Sequence, residues 1–402
     1  MSDPLRARLQ TVTGLAIALG AAIVMLVLSR TDPAFGVFSG LGLALGFVMQ
    51  RSRFCFTAAF RDLFMLKSGR NMKGVIVGMA VATVGFGLIM ANLLPNAALG
   101  TIAPEAHANP VGVALVLGGL LFGVGMVAAG GCTSGSLYRM GEGYAASWVA
   151  FAGILGGLGI ASHTWNWWWR TSIRLAPVIW FPRALGYGGA ILATLAGLLG
   201  AYLLVLWIES GLPPAAVETP RPTVEKGFAA RVGDLYVTVF QRGWPAITGG
   251  VLLGIISVFL YTAQMPWRIV GEYARWANGL LTLAGLGPGR LLGTEELAGC
   301  ALRSGGGVLT HGLLLNVGLF GGSLISALLA HEFKPRFARN KVRYAQSLGG
   351  GLLMGYGAGL AMGCTVGAFF SAIPSLALNG WVFGVALAGG AYLGTHVLRY
   401  LP

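Results

Sequence analysis

An eighteen-residue segment occurs twice in this chain, 232 positions apart and without a gap. The copies, GGLLFGVGMVAAGGCTSG at 118–135 and GGLLMGYGAGLAMGCTVG at 350–367, are identical at eleven positions. Each copy is an apolar run that stops at a glycine, presents one cysteine, and resumes with threonine. Paired interrupted helices at matching places in two halves are typical of membrane proteins that hold a solute near the bilayer midplane. The sequence predicts two helix breaks, formed by Gly131, Cys132 and Thr133 and by Gly363, Cys364 and Thr365.

The composition favours a membrane protein over a soluble enzyme. Hydrophobic residues make up 55% of the chain and charged residues 10%, whereas a soluble chain carries about 25% charged residues. The formal net charge is +14, but eleven of the basic residues form two clusters, at 51–73 and 334–343, beside long apolar runs. Such clusters set the orientation of membrane helices, so the charge does not indicate nucleic-acid binding.

Apolar runs long enough to span or nearly span a bilayer predict an all-α integral membrane protein. They are residues 13–29, 74–94, 111–129, 145–162, 184–208, 246–263, 306–330 and 378–398. Shorter runs at 36–50 and 347–361 are interpreted as half-helices or short spans that line a cavity. No small-residue cleavage site follows the first run, which favours a retained helix over a signal peptide.

The spans predict two halves of five segments each, 1–183 and 184–402, related as an inverted repeat with the interrupted helices meeting at a central pore. The loop 95–110 holds one charge, Glu105, whereas its counterpart 331–346 is strongly basic, so the two are predicted on opposite faces. Both termini are then cytoplasmic. The Pro-rich stretch 209–245 is predicted to be a cytoplasmic linker, and the Trp-rich segment at the end of the first half an interfacial anchor.

The four cysteines show no metal-binding pattern, because no C-x-x-C pair occurs and the five histidines lack ligand spacing. No metal and no cofactor is predicted. Cys132 and Cys364 are interpreted as functional because the duplication puts both at a helix break. Cys55 has a similar setting, between a short apolar run and a new helix. Cys300 has no counterpart in the other half, and its prediction is structural.

Three segments together resemble the YeeE/YedE family of bacterial membrane sulfur-compound transporters. They are RSRFCFTAAFRDLF at 51–64, LLFGVGMVAAGGCTSG at 120–135 and LAMGCTVGAFFSAIP at 360–374. The resemblance implies thiosulfate uptake across the inner membrane, with one cysteine in each block, Cys55, Cys132 and Cys364, along a central path. A branch of that family is linked to selenium metabolism. A TusA-like sulfur-carrier protein in the cytoplasm is an implied partner.

The residues themselves are compatible with an anion path. A helix that restarts at Thr133 or Thr365 directs free N–H groups and its positive dipole end into the break. A thiol can donate weakly to a sulfur or an oxygen, and conduction needs several weak sites. Arg51, Arg53 and Arg61 are candidates for recruiting anions at the cytoplasmic mouth, although the orientation of the helices also explains them.

Two other functions stay open at this point. A membrane sulfurtransferase would need a reactive cysteine with an adjacent base, and the cysteine blocks contain no histidine. A neutral-solute channel of the inverted-repeat kind would need no cysteine. The energy source, the oligomeric state and the choice between sulfur and selenium species do not follow from the sequence.

Overall fold

The computed structural model describes residues 4–99, 101–209, 236–263, 266–294, 297, 302, 307 and 309–399. Across these residues the fold is all-α, as predicted. Seven of the described helices are long and apolar enough to cross a membrane, or eight if the bent pair Lys341–Leu360 and Thr365–Ser371 is one span. The protein is a multi-pass membrane protein.

The α-helices follow the predicted runs closely. They are α1 (Pro4–Thr31), α2 (Pro33–Ser52), α3 (Phe56–Leu66), α4 (Arg70–Leu93), α5 (Val113–Ala129), α6 (Thr133–Gly141), α7 (Ala145–Thr171), α8 (Pro182–Glu209), α9 (Ala246–Thr262), α10 (Val270–Leu283), α11 (His311–Leu329), α12 (Lys341–Leu360) and α13 (Leu378–Arg399). A π-helical turn, Thr365–Ser371, follows α12.

The runs 36–50 and 347–361, predicted as half-helices or short spans, lie in helices of 20 residues each, α2 and α12. Helix α12 bends by 49° from the turn Thr365–Ser371, as a broken span or a re-entrant loop does. Polar end turns extend both helices beyond their apolar runs. Asp32 caps α2 by accepting a hydrogen bond from the Ala34 N–H, and Asn340 caps α12 by accepting one from Val342. Hydropathy alone misses such turns, since their polar groups are satisfied by caps and partners.

The Trp-rich segment is helical for the most part, because α7 continues to Thr171. Trp167 is 60% exposed, which is compatible with an interfacial position. Trp165 and Trp180 are instead buried, and their indole N–H groups donate to the Leu292 and Ser375 carbonyls at 2.8 and 2.9 Å. These two rings therefore bind α7 and the segment before α8 to distant parts of the chain inside the protein. A further amphipathic helix, α10, was not predicted.

The two copies of the repeat cross at glycines. A methyl group on Gly118 would lie 2.7 Å from the Gly357 carbonyl oxygen, and one on Gly125 would lie 2.6 Å from that of Gly350. Residue numbers rise along α5 as they fall along α12, so the two helices are antiparallel. Because glycine has no side chain, the two helices can approach closely, and close approach is how membrane helices gain packing energy.

Four other helix pairs make the main contacts of the core, and the 232-residue offset exchanges the first two of them. Helix α7 packs on α12 as α5 packs on α13, and α2 packs on α11 as α4 packs on α9. The peripheral helices α1 and α8 keep most of their apolar side chains exposed. The placement of the two halves relative to the membrane stays a prediction, as do the domain boundaries.

Two predicted features fall partly or wholly outside the described residues. Of the predicted linker 209–245, Glu209 ends α8 and accepts hydrogen bonds from the Gly69 N–H and the Lys73 ammonium. A short π-helical segment, Val237–Gln241, leads toward α9. Residues 210–235 lie outside the described residues, and so does Cys300.

Candidate substrate path

Three cysteines occupy the same structural position. Cys55 precedes the first residue of α3, Cys132 that of α6, and Cys364 that of the π-helical turn 365–371. All three side chains are at least 98% buried. The two predicted breaks and the similar break before Cys55 are therefore present, and each places a thiol where backbone N–H groups lack helical partners.

The first break is formed by Gly130, whose φ of 74° is in the left-handed region. The carbonyl groups exposed where α5 ends are capped by arginines. Arg343 donates to the Ala128 and Ala129 oxygens, both at 3.0 Å, and Arg139 donates to the Gly130 oxygen. Cys132 then turns inward, and its Sγ accepts the Gly135 N–H at 3.3 Å.

The second break has no glycine at the left-handed position. Met362 has a φ of 57°, and the chain bends by 49° between α12 and the π-helical turn. A non-glycine side chain in this region costs about 1–2 kcal/mol. Such strain persists only where the surrounding packing imposes it, and it is concentrated at functional sites.

The two breaks face each other. Thr133 lies beside Cys364, and Thr365 lies beside Cys132. Both threonines are fully buried, and neither hydroxyl has a hydrogen-bond partner of good geometry among the described residues. The break region therefore holds two thiols and two unpartnered hydroxyls, and the Cys132 Sγ also lies 3.3 Å from the Ser134 hydroxyl.

Cys55 lies close to Cys132, and Gly135 is beside both residues. A methyl group on Gly135 would lie 3.3 Å from the Cys132 Sγ and 3.6 Å from the Cys55 Sγ. Since both sulfur atoms flank the same backbone position, Cys55 and Cys132 are neighbours. The structure thus brings together the three cysteines that the sequence singled out.

A large cavity of about 480 Å³ extends from Cys55 and is lined mainly by charged side chains. Its lining residues are Arg53, Cys55, Ala58, Tyr138, Arg139, Glu142, Tyr144, His331, Glu332, Lys334 and Arg336. Four of these are basic and two are acidic. A net positive, polar chamber attracts small anions and raises their local concentration.

The three arginines predicted to recruit anions lie in different places. Arg53 lines the large cavity and is 75% exposed. Arg51 is buried, and its guanidinium binds Glu332, the Gln50 side chain and the Phe240 carbonyl. Arg61 pairs with Asp62 at 2.8 Å and does not line the cavity. Of the three, Arg53 is placed to meet an anion there.

Beside the large cavity, Gln50 links two glutamates. Its amide donates to Glu332 at 2.7 Å and to Glu142 at 3.1 Å, while its oxygen accepts from the Ser326 hydroxyl. Burial raises the pKa of Glu142. Burial also acts to raise the pKa of Glu332, but the attraction of Arg51 and the hydrogen bond from Gln50 outweigh it, so that pKa is lowered. Glu332 is therefore ionised at neutral pH.

A second, small cavity lies beside Cys364. It measures about 10 Å³, close to the space that one water molecule needs. It is lined by His107, Arg268, Ile269, Val270, Gly271, Gly363, Cys364 and Gly367. Sequence reasoning missed His107 and Arg268 because neither belongs to a motif and the loop 95–110 was interpreted only through its charge.

Tyr273 is a third residue that the sequence did not indicate. It is fully buried on α10 near Cys364 and Cys132, and its hydroxyl has no hydrogen-bond partner among the described residues. No pattern in the sequence marks it, since only the packing of α10 brings it to the thiols. Within the described ranges, no group of His, Cys, Asp and Glu is arranged to hold a metal ion.

Comparison with known proteins identifies the family. The sequence matches the Sulphur transport family over residues 51–393. The chain belongs to this family. It is 30% identical over 387 residues to the thiosulfate transporter TsuA of Escherichia coli (strain K12), covering 91% of this chain and 96% of that protein. This assignment confirms the resemblance to the YeeE/YedE proteins.

Two further relatives are also named as transporters. The thiosulfate transporter TsuA of Spirochaeta thermophila is 30% identical over 383 residues, covering 90% of this chain and 99% of that protein. The probable transporter YedE of Escherichia coli is 34% identical over 161 residues, or 38% of this chain and 37% of that protein. These relatives are transporters and not enzymes, in agreement with the prediction.

Proposed function

We propose that this protein is an inner-membrane transporter that takes up thiosulfate and passes it along Cys364, Cys132 and Cys55. One observation supports the proposal: three buried cysteines at helix N-cap positions lie between a small cavity at Cys364 and a large basic cavity at Cys55. The two TsuA relatives support the choice of substrate.

The chemistry of the ion suits such a path. Thiosulfate is a small dianion with one soft sulfur terminus and three oxygens. Neutral thiols and the hydroxyls of Thr133 and Thr365 donate weak hydrogen bonds to it, and the helix N-termini add a favourable dipole. Several weak sites in series let the ion pass without being trapped. Gly131 and Gly363 precede the two cysteines at the breaks, and a methyl group on Gly363 would lie 2.9 Å from the Ala368 nitrogen.

The cavities suggest the direction in which this conformation is open. The large cavity reaches Cys55, whereas the cavity beside Cys364 has room for about one water molecule. If the loop 95–110 is external, as its low charge predicts, this is a state open to the cytoplasm. Arg53, Arg139, Lys334 and Arg336 then attract the ion as it leaves the thiols.

Uptake of labelled thiosulfate into vesicles containing the purified protein tests the function. We expect saturable uptake that unlabelled thiosulfate inhibits and sulfate does not. Stronger inhibition by selenite or another sulfur species would assign the protein to the alternative substrates instead. No uptake of any of these ions, with folded protein in the vesicles, would contradict the proposal.

We also propose that a TusA-like sulfur carrier receives the sulfur in the cytoplasm. The basic rim of the large cavity, which includes Lys334 and Arg336, is a suitable surface for an acidic partner. Binding of such a carrier to the purified transporter should weaken with salt and in the double variant Lys334→Glu and Arg336→Glu. Unchanged binding in that variant would place the partner elsewhere.

A further inference from the structure

The repeat has a second correspondence besides the cysteines. Gly135 and Gly367 are equivalent by the 232-residue offset, and each is flanked by a polar side chain from elsewhere in the chain. Beside Gly135 that side chain is Cys55. Beside Gly367 it is His107, whose ring atoms Cε1 and Nδ1 would lie 3.3 and 3.7 Å from a methyl group there. His107 thus takes the place that a thiol holds in the other half.

The imidazole of His107 has no partner for its polar atoms. The residue is 1% exposed, and neither ring nitrogen makes a hydrogen bond within the described part of the chain. Burial and the nearby Arg268 lower the pKa of His107 to about 3, so the ring is neutral and keeps one N–H donor. An unsatisfied buried donor is costly, and it faces the cavity that Cys364 lines.

Arg268 supplies positive charge to the same cavity. Its guanidinium pairs with Glu105 at 2.6 Å, and Glu105 is in the same loop as His107. A similar ion pair lies at the large cavity, where Arg53 binds Glu332. In both pairs the arginine precedes a short helix of one half, and the glutamate is in the loop before the interrupted helix of the other half.

The loop that carries His107 is held over the cavity by the packing of Ala103, Ala106 and Ala108 in an apolar cluster and by polar contacts. Tyr261 donates to the Pro104 carbonyl at 3.0 Å, Ser375 accepts the His107 N–H at 3.1 Å, and Glu105 binds Arg268. The cavity is too small for a tetrahedral ion, so binding requires the loop to move outward. An anion that takes the place of Glu105 beside Arg268 would favour that movement.

We propose that His107 and Arg268 form a second anion subsite, which holds the transported ion before it reaches Cys364. The neutral His107 ring donates one N–H hydrogen bond to the ion. Arg268 releases Glu105 and pairs with the ion instead. No bond is made or broken. This inference rests on the proposed function and adds two specificity residues on the side opposite the large cavity.

The test compares initial rates of labelled thiosulfate uptake in vesicles for several variants. His107→Leu should raise the KM about tenfold or more, because a hydrogen bond to a charged partner is lost, and His107→Gln should recover part of the loss. Arg268→Ala should raise the KM as well. Glu105→Gln should lower it, since Arg268 is then no longer neutralised. Efflux that starts from the large cavity should keep the wild-type KM in each variant.

Two exposed residues provide matched controls: His163→Leu and Arg290→Ala should behave as the wild type. Glu105→Gln decides the matter if His107→Leu does not fold, because misfolding does not lower a KM. Wild-type KM values in both His107→Leu and Glu105→Gln would overturn the proposed subsite and leave the proposed function intact. Absence of uptake by the wild type would overturn the proposed function and the subsite with it.

Discussion

At the scale of single residues, the notable feature is that cysteine occupies the N-cap position of three helical segments. Cap positions favour Ser, Thr, Asp and Asn, whose oxygens accept N–H bonds strongly. A thiol accepts weakly: Cys132 Sγ takes the Gly135 N–H at 3.3 Å, and Cys55 makes no side-chain cap bond. The N-terminal N–H groups therefore remain partly available to other hydrogen-bond acceptors, such as an anion.

The thiols can be tested by substitution. Cys132→Ala or Cys364→Ala should reduce thiosulfate uptake about tenfold to a hundredfold, since a donor to a charged partner contributes about 1.5–3 kcal/mol. Serine at position 132 should restore activity only in part, because oxygen is smaller and harder than sulfur. Initial rates in vesicles provide the measurement, and size-exclusion chromatography checks the fold. Full activity of the Cys132→Ala and Cys364→Ala double variant would rule out the thiol path.

Cys300 offers a contrast to these residues. Because it has no counterpart in the first half, Cys300→Ala should keep uptake within about twofold, the usual range for a surface or packing change without a special mechanism. The same vesicle assay applies. A complete loss of uptake with intact protein would show that Cys300 belongs to the path.

The buried ion pair of Glu332 predicts a pH-dependent stability. A lowered carboxyl pKa stabilises the fold above the unfolded value, and this contribution is lost as the pH falls through the folded value. Glu332→Gln should therefore lower the Tm in detergent at pH 7, where it leaves the buried Arg51 unpaired, by an equivalent of at least about 1 kcal/mol. The difference should shrink below about pH 4.

Asp62→Asn is the matched control for this measurement. It also breaks an arginine pair, but the Arg61 side chain is 37% exposed, and such pairs contribute little. Its effect on the Tm should be small at both pH values. Equal effects of the two variants would show that Glu332 does not stabilise the mouth of the large cavity.

At the scale of helices, glycine residues allow close contact where two helices cross. Gly125→Ala should destabilise the protein by about 1–3 kcal/mol, because the new methyl group meets the Gly350 carbonyl at 2.6 Å and overpacks the α5–α12 crossing. Gly349→Ala is the control in the same region, since no atom lies within 4 Å of its new methyl group. It should be neutral or slightly stabilising. Thermal melting in detergent compares the two, and equal melting temperatures would contradict the crossing.

At the scale of the whole molecule, the antiparallel crossing of α5 and α12 supports the predicted inverted repeat. An epitope inserted after Asn96 should then be outside, and one inserted after Arg339 should be inside. Both positions are exposed, whereas Ala108 in the same loop as Asn96 is buried. Antibody binding to intact and permeabilised cells reports the side, and detection of both epitopes on one side would refute the inversion.

Much of this protein follows from the chain alone. The apolar runs predicted most spanning helices, because a bilayer imposes length and hydropathy on each segment separately. The duplication predicted the helix breaks and Cys132 and Cys364. Helix α10 and the full lengths of α2 and α12 were missed, since amphipathic or polar turns inside a membrane protein depend on partners that hydropathy does not contain.

What the tertiary structure alone decided is which distant residues meet. Cys55 and Cys132 both lie beside Gly135, and His107 lies beside Gly367, although these residues are far apart in the sequence. The same packing buries Arg51 and leaves Arg53 open to the large cavity. The sequence by itself determined where helices form, break and present a thiol, since those are properties of local chain segments. The position of the three cysteines between the two cavities is a property of contacts between segments, which only their packing specifies.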